Sequence, residues 1–428
     1  MQRSAGRGSL PNRSSLIQPL RDFLAAETAG GVVVVSAAFA ALVWANSPWS
    51  ASYDTVWQTS VGLNIGRYGF ALDLRHWVND GLMALFFFVA GLEIKREIVE
   101  GELRDRRKAA VPIAAALGGM IVPAVIYLVF NAGTNNVRGW GIPMATDIAF
   151  AIGVLSLVGP RVSSGAKLFL LAVAIVDDIG AIVVIALFYS TGGRRAWLLG
   201  AMLAIALVLW LQRLGVNAIW VYVSVGIVLW FALHEAGVHA TIAGVVMGLI
   251  APTKPMLHED LIDVTELTDL SNAEHALATA RIARSSVSVV EWLEHLLHRW
   301  TSLLIVPLFA LANTGIHLSL GVVGDSLSSS ATWGIIVGLV IGKPVGILLA
   351  TLLVVRLGRG ALPDGTDWRD LSVAAVVAGI GFTVSLFVAE LAFAPPTEEH
   401  AKIGVVLASI LAATAGFALS RQPRSRTS

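Results

Sequence analysis

Long apolar runs separated by short polar segments recur along almost the whole chain. A helix rises 1.5 Å per residue, so roughly 20 apolar residues cross a hydrocarbon layer about 30 Å thick. Such runs predict membrane-crossing helices rather than the short alternating strands of a membrane β-barrel. We therefore predict an all-α polytopic membrane protein with twelve spans, at approximately 28–45, 77–92, 109–130, 143–158, 167–189, 196–212, 217–233, 238–251, 301–316, 333–355, 371–393 and 402–420.

Basic residues gather in alternate connections between these spans. Counted with the adjoining span ends, 23 Lys and Arg lie on the side of the two termini and 6 on the other side. The segment from Lys95 to Lys108 dominates this bias, whereas Arg194 and Arg195 lie on the unfavoured side. Because cytoplasmic loops carry the excess of Lys and Arg, both tails, 1–27 and 421–428, are predicted to be cytoplasmic.

A pattern of period two interrupts the helical pattern between the first two spans. Apolar residues alternate from Val61 to Ile65, a Gly-rich turn follows, and they alternate again from Phe70 to Leu74. This pattern predicts a small β-hairpin over 61–74 outside the membrane, with an irregular loop as the alternative. A lone hairpin is marginally stable, so we expect it to pair with another element.

The composition narrows the possible functions. The chain is 56% hydrophobic, only 14% charged and contains no cysteine, which excludes disulfides, thiol catalysis and Cys-ligated metals. No Walker A sequence or other nucleotide-binding motif occurs, so ATP-driven transport is not indicated. A membrane protein of this kind is left with downhill or ion-coupled transport.

Two adjacent carboxylates, Asp177 and Asp178, lie in the middle of the fifth span, KLFLLAVAIVDDIGAIVVIALFY. At that depth one charged residue costs at least about 2.5 kcal/mol, so such residues usually face a water-filled cavity and mark an ion or proton path. Adjacent helical positions point about 100° apart, so one Asp can face a cavity while the other faces a helix. The alternative is a pair buried for stability alone.

Two spans contain residues that interrupt a helix. In the fourth span, Pro143 and flanking glycines precede Asp147, and the eleventh span carries Gly379, Gly381 and Thr383 at its centre. Matched breaks in the third-to-fifth and tenth-to-twelfth spans predict an inverted-repeat transporter with its site where the breaks meet. Asp147 and the intramembrane Lys343 would offset the partial charges of the half-helix ends. The alternative is that these glycines only permit close helix packing.

A third group of residues can respond to pH near neutrality. The long loop 252–300 ends in VVEWLEHLLHRW, whose polar face carries Glu294, His295 and His298. His239 begins the eighth span in GVHATIAG. The alternatives are a solvated amphipathic face and a histidine that is hydrogen-bonded at a helix end.

The motifs together resemble one protein family. GLEIKREIVEGELRDRRKAAVPIAAALGGMIVPA, GWGIPMATDIAFAIGVLSL, the fifth span, GVHATIAGV, LEHLLH, PLFALANTGI, IGKPVGI and GIGFTVSLFVAELAF are similar to the bacterial NhaA-type sodium/proton antiporters. The similarity runs from Pro19 to Ala394 apart from the long loop. It implies a single domain over 28–420 in a bacterial inner membrane, with the fourth and eleventh spans unwound and crossing at the midplane. It also implies a core bundle (about 109–189 and 333–420) and an interface bundle (about 28–92 and 196–316).

The resemblance also implies roles for individual residues. Asp178 matches the sodium-binding carboxylate and Asp177 its partner, paired with Lys343, while Thr146 and Asp147 match the break in the fourth span. The cytoplasmic funnel that is associated with pH response is similar to two groups of residues. The first group lies at the end of the second span and consists of Glu93, Arg96 and Glu97. The second consists of the Glu and His residues of LEHLLH. The hairpin is similar to one that joins two subunits into a homodimer.

The resemblance implies exchange of Na⁺ or Li⁺ for H⁺ without a cofactor, in a lipid bilayer and without nucleic acid. Two departures, a longer loop from Lys254 to Ser288 and the His234–Glu235 pair, leave the pH set point open. An intramembrane aspartyl protease is a competing hypothesis, but its two carboxylates would come from facing helices. A cation channel is disfavoured because the carboxylates form no ring.

Overall fold

The computed structural model describes residues 13–65, 68–190, 192–194, 196–216, 218–253, 288–363 and 365–422. Within them the chain is mostly helical, with one small antiparallel sheet. Six of the described helices are long and apolar enough to cross a membrane, or up to nine if each bent pair counts as one span. The protein is therefore a multi-pass membrane protein, and the arrangement of twelve spans in inverted repeats remains a prediction.

Every predicted span coincides with a helix or a broken helix. In chain order the elements are α1 (Arg13–Ala45), α2 (Ser50–Trp57), β1 (Ser60–Ile65), β2 (Tyr68–Asp73), α3 (consecutive segments Leu74–His76, Trp77–Leu82 and Met83–Val99), α4 (Arg106–Asn131), α5 (Asn135–Met144), α6 (Ile148–Val158), α7 (Ser164–Phe188), α8 (Ala196–Arg213), α9 (Ile219–Glu235), α10 (Thr241–Ile250), α11 (Val289–Asn313), α12 (Leu320–Ser328), α13 (Ser330–Arg356), α14 (Trp368–Val377), α15 (Phe382–Ala392) and α16 (Thr397–Ser420).

Some boundaries differ from the sequence prediction. α1 begins at Arg13, although residues 1–27 were expected to form a tail. α11 begins at Val289, where the Ser288 side chain accepts the backbone N–H of Glu291 at 3.1 Å and caps the helix. The amphipathic segment is thus the first half of α11, the helix that contains the predicted ninth span, and not part of a loop over 252–300. Most of the expected loop, 254–287, lies outside the described residues.

The predicted β-hairpin is confirmed. β1 pairs with β2 from Ser60 opposite Asp73 to Ile65 opposite Tyr68. The Trp77 indole on α3 donates to the Val61 carbonyl oxygen at 2.9 Å, and the hairpin therefore packs on its own chain. We call the end of the molecule that bears this hairpin the hairpin end. The opposite end, where α3 finishes within the Lys95–Lys108 segment, is the basic end.

Two helices are broken in the middle of the molecule. α5 and α6 meet at a 48° bend, and α14 and α15 meet at a 42° bend. Residues 145–147 and 378–381, which form the breaks, leave backbone groups without intrahelical partners. The interruptions inferred from Pro143 and the glycines of the eleventh span are therefore present.

Glycines allow the helices around these breaks to approach closely. α4 and α13 meet at Gly118 and Gly346, where an added Cβ on either residue would overlap the opposite backbone. Gly379 lies against the Leu339 carbonyl of α13 in the same way. This close packing places the α13 side chain of Lys343 beside the breaks and α7.

Candidate ion-binding site

Lys343 and Asp177 form an ion pair in the interior. The ammonium of Lys343 on α13 lies 2.7 Å from Asp177 Oδ2 on α7, and neither side chain has exposed surface. The same ammonium donates to the Met144 carbonyl oxygen. That carbonyl belongs to the C-terminal end of α5, where helix dipoles leave partial negative charge. Lys343 therefore offsets both a full and a partial negative charge.

Thr146 joins the ion pair to the second break. Its hydroxyl lies 2.8 Å from Asp177 Oδ2 and 3.0 Å from the Ala378 carbonyl oxygen, and its single proton is shared between them. The other oxygen of Asp177, Oδ1, is buried and has no hydrogen-bond partner in the described part of the chain. Asp177 thus retains one unused acceptor in the interior.

Asp147 connects the two breaks directly. Its Oδ1 accepts the backbone N–H of Phe150 at 3.0 Å and caps α6. Its Oδ2 accepts the Thr383 hydroxyl at 2.7 Å and the Thr383 N–H at 3.1 Å, at the start of α15. Its own backbone N–H donates to the Ile380 carbonyl oxygen at 2.7 Å. One carboxylate therefore offsets the partial positive charge of two helix N-termini.

Ser385 makes a further connection between the broken helices that the sequence interpretation missed. Its hydroxyl donates to the Ile142 carbonyl oxygen at 2.8 Å, one turn before the first break. Gly381, on the adjacent turn, leaves no room for a Cβ beside Ser385 Oγ and the Ala145 carbonyl. The sequence carried one signal for this contact, since Ser385 is a second hydroxyl residue two positions after Thr383.

Asp178 has a different environment from its neighbour. It is 8% exposed and lines a cavity of about 70 Å³. A water molecule occupies about 30 Å³ of liquid, so the cavity holds about two waters, or a cation with a water. The cavity lies where α3, α6, α7, α11 and α15 converge, and its polar wall consists of Glu93, Thr146, Asp147, Asp178, His298, Thr301, Ser302 and Thr383.

The charge around this cavity favours a cation. Glu93, Asp147 and Asp177 all act electrostatically on Asp178, and Lys343 is the basic side chain among its main charged neighbours. Carboxylate and hydroxyl oxygens are the ligands that hard cations prefer. The site therefore combines an excess of negative charge with oxygen donors that are not all engaged.

The seven residues predicted to respond to pH do not form one cluster. Arg96 Nη1 on α3 lies 2.6 Å from Glu294 Oε1 on α11, and Glu93 and His298 line the cavity on the hairpin side of this pair. His295 is exposed on the surface of α11. His239 lies at the hairpin end, where its Nε2 is 2.8 Å from the Tyr189 carbonyl oxygen.

Glu97 lines a second and larger cavity at the basic end. This cavity has a volume of about 570 Å³ and is bordered by Glu97, Glu100, Arg104 and Asp105 beside the start of α7. Leu168, Leu171 and Ile175 form its α7 wall, and Asp178 follows one turn later on the same helix face. The larger cavity therefore opens along the α7 face that carries Asp178.

The chain is similar to known proteins over almost its whole length. Residues 21–419 match the family model described as Na⁺/H⁺ antiporter 1. The chain is 42% identical to the Na⁺/H⁺ antiporter NhaA 2 of Syntrophotalea carbinolica, over 96% of this chain and 98% of that protein. It is 46% identical to NhaA 2 of Sorangium cellulosum (95% and 90% covered) and 43% identical to NhaA of Shewanella loihica (93% and 95% covered).

Proposed function

We propose a mechanism for this chain from the premise that it belongs to the Na⁺/H⁺ antiporter 1 family. The protein is a membrane antiporter that exchanges Na⁺ for H⁺ and needs no cofactor. Members of this family are transporters and not enzymes, so the protease alternative is set aside. Individual residues around the two helix breaks carry out the steps of exchange.

Asp178 is the carboxylate that holds either Na⁺ (or Li⁺) or a proton. The observation that carries this proposal is that Asp178 lines an oxygen-rich cavity, while Oδ2 of Asp177 is engaged by Lys343 and Thr146. A cation in the cavity gains the charge of Asp178 in return for its lost hydration. A proton on Asp178 removes that charge, so the two ions compete for one site.

Asp177 contributes to the cation site through competition with Lys343. In the ion-free state the ammonium pairs with Asp177, which offsets two charges that would each be costly alone. A bound cation draws on the unused Oδ1 of Asp177 as well as on Asp178. Exchange of more than one proton per cation is electrogenic, and each net charge moved gains about 2.3 kcal/mol per 100 mV.

Thr146, Asp147 and Thr383 hold the two breaks together around this pair. We assign the breaks to two crossing spans of a twelve-span inverted repeat. The core bundle (about 109–189 and 333–420) then moves against the interface bundle (about 28–92 and 196–316) and exposes Asp178 to each side in turn. The close contact of the two breaks supports this arrangement.

The orientation follows from the basic residues. We place the basic end and both termini in the cytoplasm, across a bacterial inner membrane, because most Lys and Arg lie on that side. In this conformation the larger cavity and Asp178 share one face of α7, so the site is directed to the cytoplasm. The Arg96–Glu294 pair beside this path sets the pH at which transport begins, and the hairpin joins two subunits.

Calorimetric binding of Na⁺ between pH 6 and pH 9 tests the single-site mechanism. Where Asp178 is protonated, each unit of acidification should weaken the apparent affinity about tenfold per competing proton. Asp178→Asn should abolish binding and exchange, because an amide supplies neither the charge nor the proton. Asp325→Asn, at an exposed position on α12, is the matched control and should behave as the parent.

Flux into proteoliposomes with Na⁺, Li⁺ or K⁺ under a proton gradient then identifies the transported ions. An Na⁺ affinity that does not change with pH would contradict competition at one site. Continued exchange in Asp178→Asn would place the cation site elsewhere.

A further inference from the structure

Three phenylalanines form an apolar layer on the hairpin side of the small cavity. Phe87 on α3, Phe309 on α11 and Phe387 on α15 are at most 2% exposed. The ring centroid of Phe387 lies 5.6 Å from that of Phe87 and 6.1 Å from that of Phe309. Phe309 and Phe387 lie about one turn beyond the cavity-lining Val306 and Val384, toward the hairpin end, and Phe87 lies between the cavity-lining Phe86 and Val89.

A polar network lies immediately beyond this layer on the same three helices. The side-chain nitrogen of Asn79 on α3 lies 2.5 and 2.6 Å from the two carboxylate oxygens of Glu390 on α15. Asn79 and Asn313 on α11 exchange two hydrogen bonds of 2.7 and 3.1 Å, and Asn313 also donates to the Phe309 carbonyl oxygen at 3.0 Å. A carboxylate only accepts, so the amide orientations follow from the network.

The network leaves neither amide group without hydrogen-bond partners. Both amide groups use their donors and acceptors, which makes the arrangement specific as well as stable. Lys402 and Arg75 are the basic side chains that act electrostatically on Glu390, and Glu398 is an acidic side chain that acts on it in the opposite sense. Lys402 also lies 2.6 Å from Glu398 on α16.

We infer that Glu390, Asn79 and Asn313 form a latch that closes the hairpin end of the ion path in this conformation. The inference rests on the proposed alternating-access function. α15 carries Thr383, which bonds Asp147 beside the cation site, and about 10 Å further along it carries Glu390. α3 and α11 belong to the other bundle. The site can open toward the hairpin end only if α15 separates from α3 and α11, which breaks the Glu390 bonds.

Glu390 is therefore a positioning residue for transport and not a ligand of the transported ion. Glu390 holds α15, including Thr383 at its N-terminal end, in the conformation in which the cation site is directed to the basic end. A weakened latch shifts the resting population toward the conformation that is open at the hairpin end, since each state is stabilised only by its own contacts.

Site-directed labelling measures this shift directly, because the chain contains no cysteine. Ser302→Cys places one thiol in the wall of the small cavity. Oriented vesicles are then treated from either side with a membrane-impermeant cationic thiol reagent. When Glu390 is unchanged, the Ser302→Cys protein should be labelled mainly from the basic end. Glu390→Ala should raise the ratio of hairpin-end to basic-end labelling about tenfold, which corresponds to about 1.4 kcal/mol.

Two variants and one control separate a latch from a structural tie. Glu390→Gln keeps one acceptor for Asn79 without the charge and should give an intermediate ratio, and it replaces Glu390→Ala if the latter fails to fold. Glu399→Ala, a nearby carboxylate of α16, should leave the ratio unchanged. Asn313→Ala combined with Glu390→Ala should add little to the effect of Glu390→Ala alone.

The labelling ratio does not depend on ion exchange, so its outcome is distinct from the test of Asp178. An unchanged ratio in both Glu390 variants, with or without a lower melting temperature, overturns the latch. A changed ratio in a protein that exchanges Na⁺ without Asp178 would keep the latch and reject the proposed cation site.

Discussion

At the scale of single residues, the interior of this protein holds charged side chains at a depth where a helix surface in contact with lipid could not hold them. Asp177 and Lys343 have no exposed surface and are separated by 2.7 Å. Moving two charges out of water costs several kcal/mol per ion, and their mutual attraction offsets this cost only while both are present. The stability of the site therefore depends on the pair.

Lys343→Ala should lower the free energy of unfolding by about 3–5 kcal/mol, because it leaves Asp177 as an uncompensated buried charge. Ile347→Ala, one turn later on α13 and equally buried, serves as the apolar control. Adding Asp177→Asn should recover part of the loss in thermal unfolding assays. Strictly additive effects of the two substitutions would argue that the groups do not interact.

Thr383→Val should destabilise the protein by about 1.5–3 kcal/mol, the scale of a hydrogen bond to a charged group. The substitution removes the hydroxyl that donates to Asp147 but keeps the shape of the side chain. Thr351→Val is the matched control, because Thr351 Oγ1 is buried without a hydrogen-bond partner among the described residues. We expect it to be neutral or stabilising, and equal losses in the two variants would contradict this role for Thr383.

The sequence pointed to some site residues and not to others for a physical reason. A charge inside an apolar run is costly, so Asp147, Asp177, Asp178 and Lys343 are visible without a structure. Neutral residues such as Asn79 carry no such signal, since Ser, Thr and Asn are ordinary helix-packing residues in membranes. Glu390 was visible in VAELAF, but its partners lie on two distant helices.

At the scale of elements, helix positions were predictable and helix ends were less so. A helix or a broken helix is present at every span that the apolar pattern predicts, because burial and lipid exposure both require apolar side chains. It could not show that α11 continues through Trp300 into the apolar run, because the polar face of VVEWLEHLLHRW is typical of a separate surface helix. Short α2 and α12 were also missed, as neither is long enough to give a membrane signal.

The Arg96–Glu294 pair joins α3 to α11 at the basic end, and its two charges should have opposite effects on activation. Arg96→Ala removes a positive charge near the acidic groups of the path, makes protonation easier and should move the activity midpoint about one pH unit higher. Glu294→Gln removes a negative charge and should move it lower. The measurement is the exchange rate against pH in proteoliposomes.

The maximal rate should change little in either variant, since neither group lines the small cavity. Arg299→Ala, an exposed basic residue of α11, is the control for a general charge effect. Shifts in the same direction in the two variants would contradict a role for these charges.

At the scale of the whole molecule, the β-hairpin of β1 and β2 is a feature that lies outside the predicted spans. Strand edges are satisfied by pairing with another strand, and a second copy of the chain supplies one. Deleting residues 61–72 and closing the gap with glycine should therefore halve the particle mass while leaving some transport. Leu320→Ser, an apolar residue of the same end with 97% exposure, is the control. Light scattering in detergent gives the mass, and an unchanged value would reject the hairpin as the interface.

The bond between the Asp147 N–H and the Ile380 carbonyl oxygen has a consequence for deuterium exchange. Most slow amides of a membrane protein are protected within one helix, whereas this proton is held between two separate breaks. Its exchange requires the breaks to part, so its protection factor reports the free energy of that opening. Deuterium uptake by a peptide that spans residue 147, measured by mass spectrometry with and without Na⁺, would thus report how bound Na⁺ changes this opening in the unlabelled, unmutated protein.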